Sequence, residues 1–343
     1  MDKSNEDPKN TKILTNYKVI KELGFGMNGT VYMIECIDNQ NKTNKYALKI
    51  EKIEKKDLNP KTKNQIWREL FFYKKIGHKY PEQFINLIEY DFIDNCEHIQ
   101  KYSFDLEFFA KPVQNKLIKK ASSGICLRKV FDLMDGNLTD LIGKLESKQI
   151  YTMIIQITYG IKILHKSNYI HGDLHSGNIG WIKTNKKFII LNGLRIKTFG
   201  YQFKLIDFGL ILSKSDITNK REEKHYNELI ETELGSLKYF LVDTKFWDWF
   251  EKNNLKYDFS KLFNDIKKTE EFEIIKKFTT NKNDQVFLYE ILFQDQYQKI
   301  VCGSQYKKTI PRKLFIPKED LLVMVKISQD LDLMIKYFYN KIC

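Results

Sequence analysis

A chain of 343 residues with 42% hydrophobic content is long enough for one large or two ordinary globular units, which excludes disorder of the whole chain. The net charge of +13 raises the question of nucleic acid, but the lysines run from Lys3 to Lys341 among Asn and Ile, a compositional bias and not a basic face. Only the run Lys116 to Lys120 stands out, and neither a nucleic-acid partner nor a membrane span is expected, since Gln156 interrupts even the apolar run at Met153 to Ile155.

Residues 1–14 open on a polar stretch containing Asp2, Glu6 and Asp7, read as a flexible tail without the cationic start and apolar centre of a secretory signal. Tyr17 to Leu23, Thr30 to Ile37 and Lys45 to Ile50 combine aromatic and β-branched residues. Turn-formers separate them at Gly24 to Gly29 and Asp38 to Asn44, so three antiparallel strands are predicted. Asn64 to Ile76 has the apolar spacing of a helix, and strands follow at Leu87 to Phe92 and Ile125 to Leu133. From Gln149 to Lys166 the residues Ile150, Met153, Ile154, Ile157, Ile161 and Leu164 recur at helical spacing and predict a core helix. Two short strands are predicted about Gly193 and Tyr201, and the remainder, including Leu321 to Asn340, reads as mostly helical. The chain therefore divides into a strand-rich unit (15–134) and a helix-rich unit (135–343), with insertions near 94–124 and 184–201 whose lengths suggest functional or mobile loops. Cys36, Cys96, Cys126, Cys302 and Cys343 are odd in number and lack C-x-x-C spacing. That argues against a disulfide framework or zinc site and for a reducing, cytoplasmic setting.

Four motifs carry chemistry. Gly24-Phe25-Gly26-Met27-Asn28-Gly29-Thr30-Val31 fits G-x-G-x-x-G-x-V between two strands, where a Cβ would keep backbone N–H groups away from phosphate oxygens. Read by itself it is an ordinary Gly-rich hairpin turn. Tyr46-Ala47-Leu48-Lys49 places a lysine on the next strand, with Glu69 on the following helix as a carboxylate able to orient it. Tyr169 to Asn178 follows the core helix, with Asp173 suited to accept a hydroxyl proton and Asn178 to reach a magnesium ion. Phe203 to Gly209 is an apolar strand ending in Asp207-Phe208-Gly209, a hard-oxygen donor at a strand end.

In this order the four motifs resemble the eukaryotic-type protein kinase superfamily over roughly Tyr17 to Tyr239. The resemblance implies an α+β, bilobal protein-kinase-like fold, with an antiparallel-sheet N-lobe carrying one helix and a mainly helical C-lobe. It implies ATP and Mg2+ as cofactors. Gly24, Gly26 and Gly29 would cover the phosphates, and Leu23, Val31 and Ala47 would line the adenine slot. Lys49 would pair with Glu69, Asp173 would be the base, and Asn178 and Asp207 would hold the metal. Phe131 would be the gatekeeper, with Asp132 and Met134 offering backbone bonds to adenine.

The chain also departs from the family. Gly172 stands where many kinases carry an arginine that meets an activation-loop phosphate, which implies activity without such phosphorylation. His175 replaces a catalytic-loop lysine, and the string His171-Gly172-Asp173-Leu174-His175-Ser176-Gly177-Asn178 is also similar to kinases of small molecules such as aminoglycosides and choline. Gly235-Ser236-Leu237-Lys238-Tyr239 is similar to the Gly-Thr-x-x-Tyr of a substrate-facing loop, with Leu241-Val242-Asp243 replacing Ala-Pro-Glu and Asp258 as the anchor of a central helix. The insertion ending in Gly200-Tyr201 and the Lys, Asn and Ile bias are similar to divergent kinases of large DNA viruses. The expectation is a monomeric serine/threonine protein kinase of unknown protein substrate. A small-molecule kinase is the runner-up. A silent pseudokinase scaffold usually lacks a counterpart of Lys49, Asp173 or Asp207, and all three are present.

Overall fold

The computed structural model describes residues 13–343 except 27–28, 38–40, 61–63, 95–123, 257 and 307–308. The chain forms two compact units, the first comprising residues up to Asp135 together with Leu205–Ile211, the second Gly136–Lys204 with Leu212–Cys343. The basic run Lys116 to Lys120 and nearly all of the first insertion lie outside the described residues. Among those described, no helix is long and apolar enough to cross a membrane.

The first unit is built on five antiparallel strands, β1 (Lys18–Gly26), β2 (Gly29–Ile37), β3 (Thr43–Ile53), β4 (Leu87–Ile93) and β5 (Ile125–Asp132), in the order β1-β2-β3-β5-β4. Side chains alternate across a strand, so β3 separates two environments. Leu48, with Tyr46 and Ile50, joins Ile34, Cys36 and Val130 in an apolar cluster. On the opposite parity, Ala47, Lys49, Glu51 and Ile53 are all buried, and their partners across the β3–β5 ladder are Phe131, Lys129, Leu127 and Ile125. The helix α1 (Gln65–Lys75) starts where the Asn64 side chain accepts the Ile66 N–H at 3.0 Å, and it buries Glu69, Leu70, Phe72 and Tyr73. Phe208 is fully buried in this unit against Phe72 and Phe84, with ring centroids at 4.3 and 5.6 Å.

The second unit is organised by α3 (Ser147–Lys166), preceded by a short α2 (Leu138–Leu141). A capping box between Glu146 and Gln149 opens α3, which buries fourteen residues. Gln156, polar in an apolar helix, is satisfied inside the unit: its Oε1 accepts the Phe203 N–H at 2.8 Å and its Nε2 donates to Tyr201 O at 3.4 Å. That fixes β11 (Tyr201–Leu205) beside β8 (Ile179–Lys183), which pairs in turn with β6 (Gly136–Asn137). A second small ladder joins β7 (Tyr169–Ile170) to β12 (Leu212–Ser213).

Further helices complete the unit: α4 (Lys220–Tyr239), α5 (Lys245–Lys252), α6 (Phe259–Ile266), α7 (Glu271–Ile275), α8 (Lys282–Leu292), α9 (Gln294–Cys302), α10 (Lys318–Ile327) and α11 (Leu331–Ile342). The stretch Leu321 to Asn340, read as mostly helical, falls in α10 and α11, and Asp330 restarts the chain by capping α11 through Asp332 and Leu333.

Two expectations are corrected by this architecture. The insertion at 184–201 is a packed hairpin, β9 (Phe188–Leu191) and β10 (Leu194–Lys197), joined by Asn192 and Gly193 at φ of 48° and 83°. Ile189, Leu191 and Ile196 are buried, and Thr152 of α3 donates to Lys197 O at 2.6 Å, so burial and a side-chain bond hold what sequence length suggested was loose. Cys126 is disulfide-bonded, against the expectation of unpaired cysteines, whereas Cys302 and Cys343 carry free thiols.

Candidate functional site

In the first unit the glycines expected to cover the phosphates lie on β1 and β2. Gly24 and Gly26 lie on β1, and Gly29 opens β2, while Met27 and Asn28 fall outside the described residues. A Cβ on Gly29 would sit 2.3 Å from Ile50 O and 2.8 Å from Glu51 Cγ, so only glycine allows β2 to approach β3 this closely. Val31 is half-buried opposite Lys49, Ala47 is buried beside Phe131, and Leu23 is exposed. The Asp132 N–H donates to Asn86 O at 3.2 Å, and Met134 follows, half-buried.

Lys49 does not pair with Glu69 as expected. Its ammonium lies 2.7 Å from Asp207 Oδ1 and 3.0 Å from Glu51 Oε1. Glu69 instead receives a fully buried lysine, Lys129, at 2.6 Å, and Lys129 also lies 2.9 Å from Glu51 Oε2. The reason is geometric: Lys129 stands directly opposite Lys49 in the ladder and on the same face. Burial would lower the Lys49 ammonium, but Asp207, Glu51 and Glu69 overcome it and raise it well above its ordinary value. For Glu51 burial works upward and is overcome by Lys129 and Lys49, which hold it below the usual carboxylate range. Glu69 goes the other way, raised by burial that Lys129 offsets only in part.

Asp207 has a φ of 56°, a left-handed conformation that Asp tolerates better than most residues. Burial would raise its carboxyl, yet Lys49 dominates and holds it far below the usual range. Helix α1 grips the segment that follows: Gln65 Nε2 donates to Gly209 O, and Arg68 Nη1 donates to Ile211 O at 2.9 Å.

The second unit presents the catalytic-loop residues at the end of β7. Asn178 Nδ2 donates to Asp173 O at 2.8 Å and to Asp173 Oδ2 at 3.2 Å. The amide nitrogen is thereby spent on Asp173, which leaves the Asn178 oxygen as a hard-oxygen donor of the kind magnesium takes; the Asp207 carboxylate, in the first unit, is a donor of the same kind. His175 lies 3.7 Å from Asp173 Oδ2 through Nε2, and its Nδ1 accepts the Gly177 N–H at 3.0 Å. The Gly177 bond thus turns the ring so that Nε2 is the nitrogen toward Asp173.

Gly172 has a φ of 80° and donates its N–H to Glu233 Oε1 at 2.7 Å, while Glu233 Oε2 lies 3.0 Å from His165 Nε2. Glu233, on α4, thus holds the backbone at Gly172. Asp258, expected in an anchoring role, instead caps α6 through Ser260 and Lys261. The expected substrate-facing loop at Gly235 to Tyr239 is the last turn and a half of α4, and Asp243 is tied to Lys313 by backbone and side-chain bonds at 3.0 and 3.1 Å. Among the described residues, only the stretch 210–219 separates Gly209 from α4, and β12 pairs part of it with β7.

Sequence reasoning missed Glu51, Lys129 and Glu233. A signal existed for the first two, since Glu51 shares the parity of Lys49 on one strand and Lys129 that of Phe131 on another, so both had to face the same interior. For Glu233 the polar sequence of α4 gave none.

Residues 17–240 match the protein kinase domain family. The chain is also similar to serine/threonine-protein kinase CLA4 of Candida albicans, in two strain versions, each 25% identical over 223 residues. That alignment covers 64% of this chain and only 17% of the relative, so the chain corresponds to a small part of that protein's length.

Proposed function

We propose that this chain, which belongs to the protein kinase family, transfers the γ-phosphoryl group of magnesium-ATP to serine or threonine hydroxyls of proteins. The observation that carries the reading is Asp173, a part-exposed carboxylate held by Asn178, and the relatives named above are serine/threonine kinases. Asp173 accepts the hydroxyl proton as the oxygen attacks phosphorus, Lys49 binds phosphate oxygens, and Asn178 and Asp207 are the residues that would hold magnesium. The metal, when bound, neutralises charge developing on the phosphate oxygens.

A second reading, a kinase of small-molecule alcohols, is favoured by one observation. The residues expected to form a platform for a protein substrate, including Ser236, are helical in α4. Radiolabelled ATP offered with casein, a basic protein and a panel of small alcohols separates the two. Label in protein is expected; label confined to small alcohols would replace the first reading by the second, and nucleotide binding without transfer would overturn both. The short stretch 210–219 supports activity without activating phosphorylation, so phosphatase treatment is expected to leave turnover intact.

A further inference from the structure

Two lysines directly opposite one another on the buried face of a sheet repel, and such an arrangement persists only if a carboxylate is placed between them. Lys49 and Lys129 are such a pair, and Glu51 is that carboxylate: one oxygen meets Lys49 at 3.0 Å and the other meets Lys129 at 2.9 Å. Glu51 extends from the same strand as Lys49, two residues on, so its position is fixed by the β3 backbone and by the glycine approach of β2 at Gly29. Glu69 meets Lys129 through Oε2 while its Oε1 makes no hydrogen bond, and helix α1 spends Gln65 and Arg68 on the backbone at Gly209 and Ile211.

We propose that Glu51 is the positioning residue of Lys49, with Lys129 neutralising Glu69, so that the phosphate-binding lysine is set by the sheet itself and not by helix α1. This rests on the reading of Lys49 as an ATP phosphate ligand. Glu51 acts through Lys49 and touches no reacting atom. Rigid strands, in place of a movable helix, then determine where the ammonium points.

The test compares Glu51→Gln with Glu69→Gln in the full chain. It measures displacement of a fluorescent ATP analogue by magnesium-ATP, and the kcat and KM for ATP. Glu51→Gln is expected to weaken nucleotide binding and raise KM at least tenfold, and Glu69→Gln to have the smaller effect on both. The double variant Lys49→Met/Glu51→Gln is expected to bind no more weakly than Lys49→Met alone, a non-additivity that a merely structural role would not produce. Should Glu51→Gln fail to fold, Glu51→Asp keeps the charge and shortens its reach, and a severalfold rise in KM is expected. An effect of Glu69→Gln equal to or above that of the Glu51 variants, or additive losses in the double variant, would overturn the proposal. Wild-type binding without transfer would refute the kinase reading alone, because the binding comparison still decides the role of Glu51; no wild-type binding would overturn both.

Discussion

In the first unit Lys49, Glu51, Lys129 and Glu69 are held by one another out of water, whereas in the second Asp173 and His175 are held by backbone turns at the surface. Lys129 is fully buried and Glu69 is 2% exposed, and both belong to a set that Glu51 ties to Lys49 and Asp207. The side chains of Asp173 and His175 are 46% and 56% exposed, and what fixes them is Asn178, the Gly177 N–H and the grip of Glu233 on Gly172. In a low-dielectric interior a lost partner leaves a charge that water cannot solvate, so damage there appears first as lost stability. At an exposed carboxylate the same change leaves the fold intact and removes chemistry.

The largest expected effect is on the exposed side. Asp173→Asn removes the proposed base and should lower turnover by about 10²- to 10⁴-fold with nucleotide affinity retained. Single-turnover transfer together with nucleotide titration measures both, and unchanged transfer would end the assignment.

On the buried side, Lys129→Met strands Glu69 and should cost on the order of 3–5 kcal/mol. The double variant Lys129→Met/Glu69→Leu should recover most of that in denaturant unfolding. If the single variant is as stable as wild type, the contrast between the two units fails.

Glu233 joins the two styles, a buried carboxylate serving an exposed loop. Glu233→Ala leaves the Gly172 N–H unmet, a cost of about 1–3 kcal/mol. If about 1.4 kcal/mol of this reaches the barrier, turnover falls about tenfold, and Glu233→Gln should restore part of it. A turnover equal to wild type in Glu233→Ala would remove the anchor from the mechanism.

A last effect, on the pH dependence of stability, concerns Glu290 on α8, buried with Arg312 and accepting from Trp247 Nε1 at 3.0 Å. Burial pushes its carboxyl up to about 7 against the pull of Arg312 and Trp247. A carboxyl raised in the folded state contributes stability that is fully present below its unfolded value, near 4.5, and lost as pH rises through about 7. The melting temperature should therefore fall across that window in wild type and lose this fall in Glu290→Gln; parallel profiles for the two proteins would contradict it.

The strands of the first unit and the core helix were legible because glycines, β-branched runs and helical apolar spacing all pointed the same way. That Lys49 lies on a strand, that Asp173 and Asn178 follow the core helix and that Asp207 follows a strand was legible from residue type and order. The exchange of partners among Lys49, Glu51, Lys129 and Glu69 was not, because register sets it, and register is a property of two strands far apart in sequence. Helix α4 was read partly as a loop on the strength of Gly235 and Ser236. Its Asn219 cap, bonded to the N–H groups of Arg221 and Glu222, and its buried Glu233 and Leu237 outweigh the cost of about 1 kcal/mol that one helical glycine brings.

The hairpin of β9 and β10 has a practical consequence for anyone who wishes to watch this protein. Ile189, Leu191 and Ile196 face inward, its turn at Asn192 and Gly193 is exposed, and nothing lies within 4 Å of where a Gly193 side chain would begin. Exposed turns of this kind accept inserted peptides. A fluorophore or affinity tag placed there would report on the molecule while leaving Lys49, Asp173 and Asp207 unmodified.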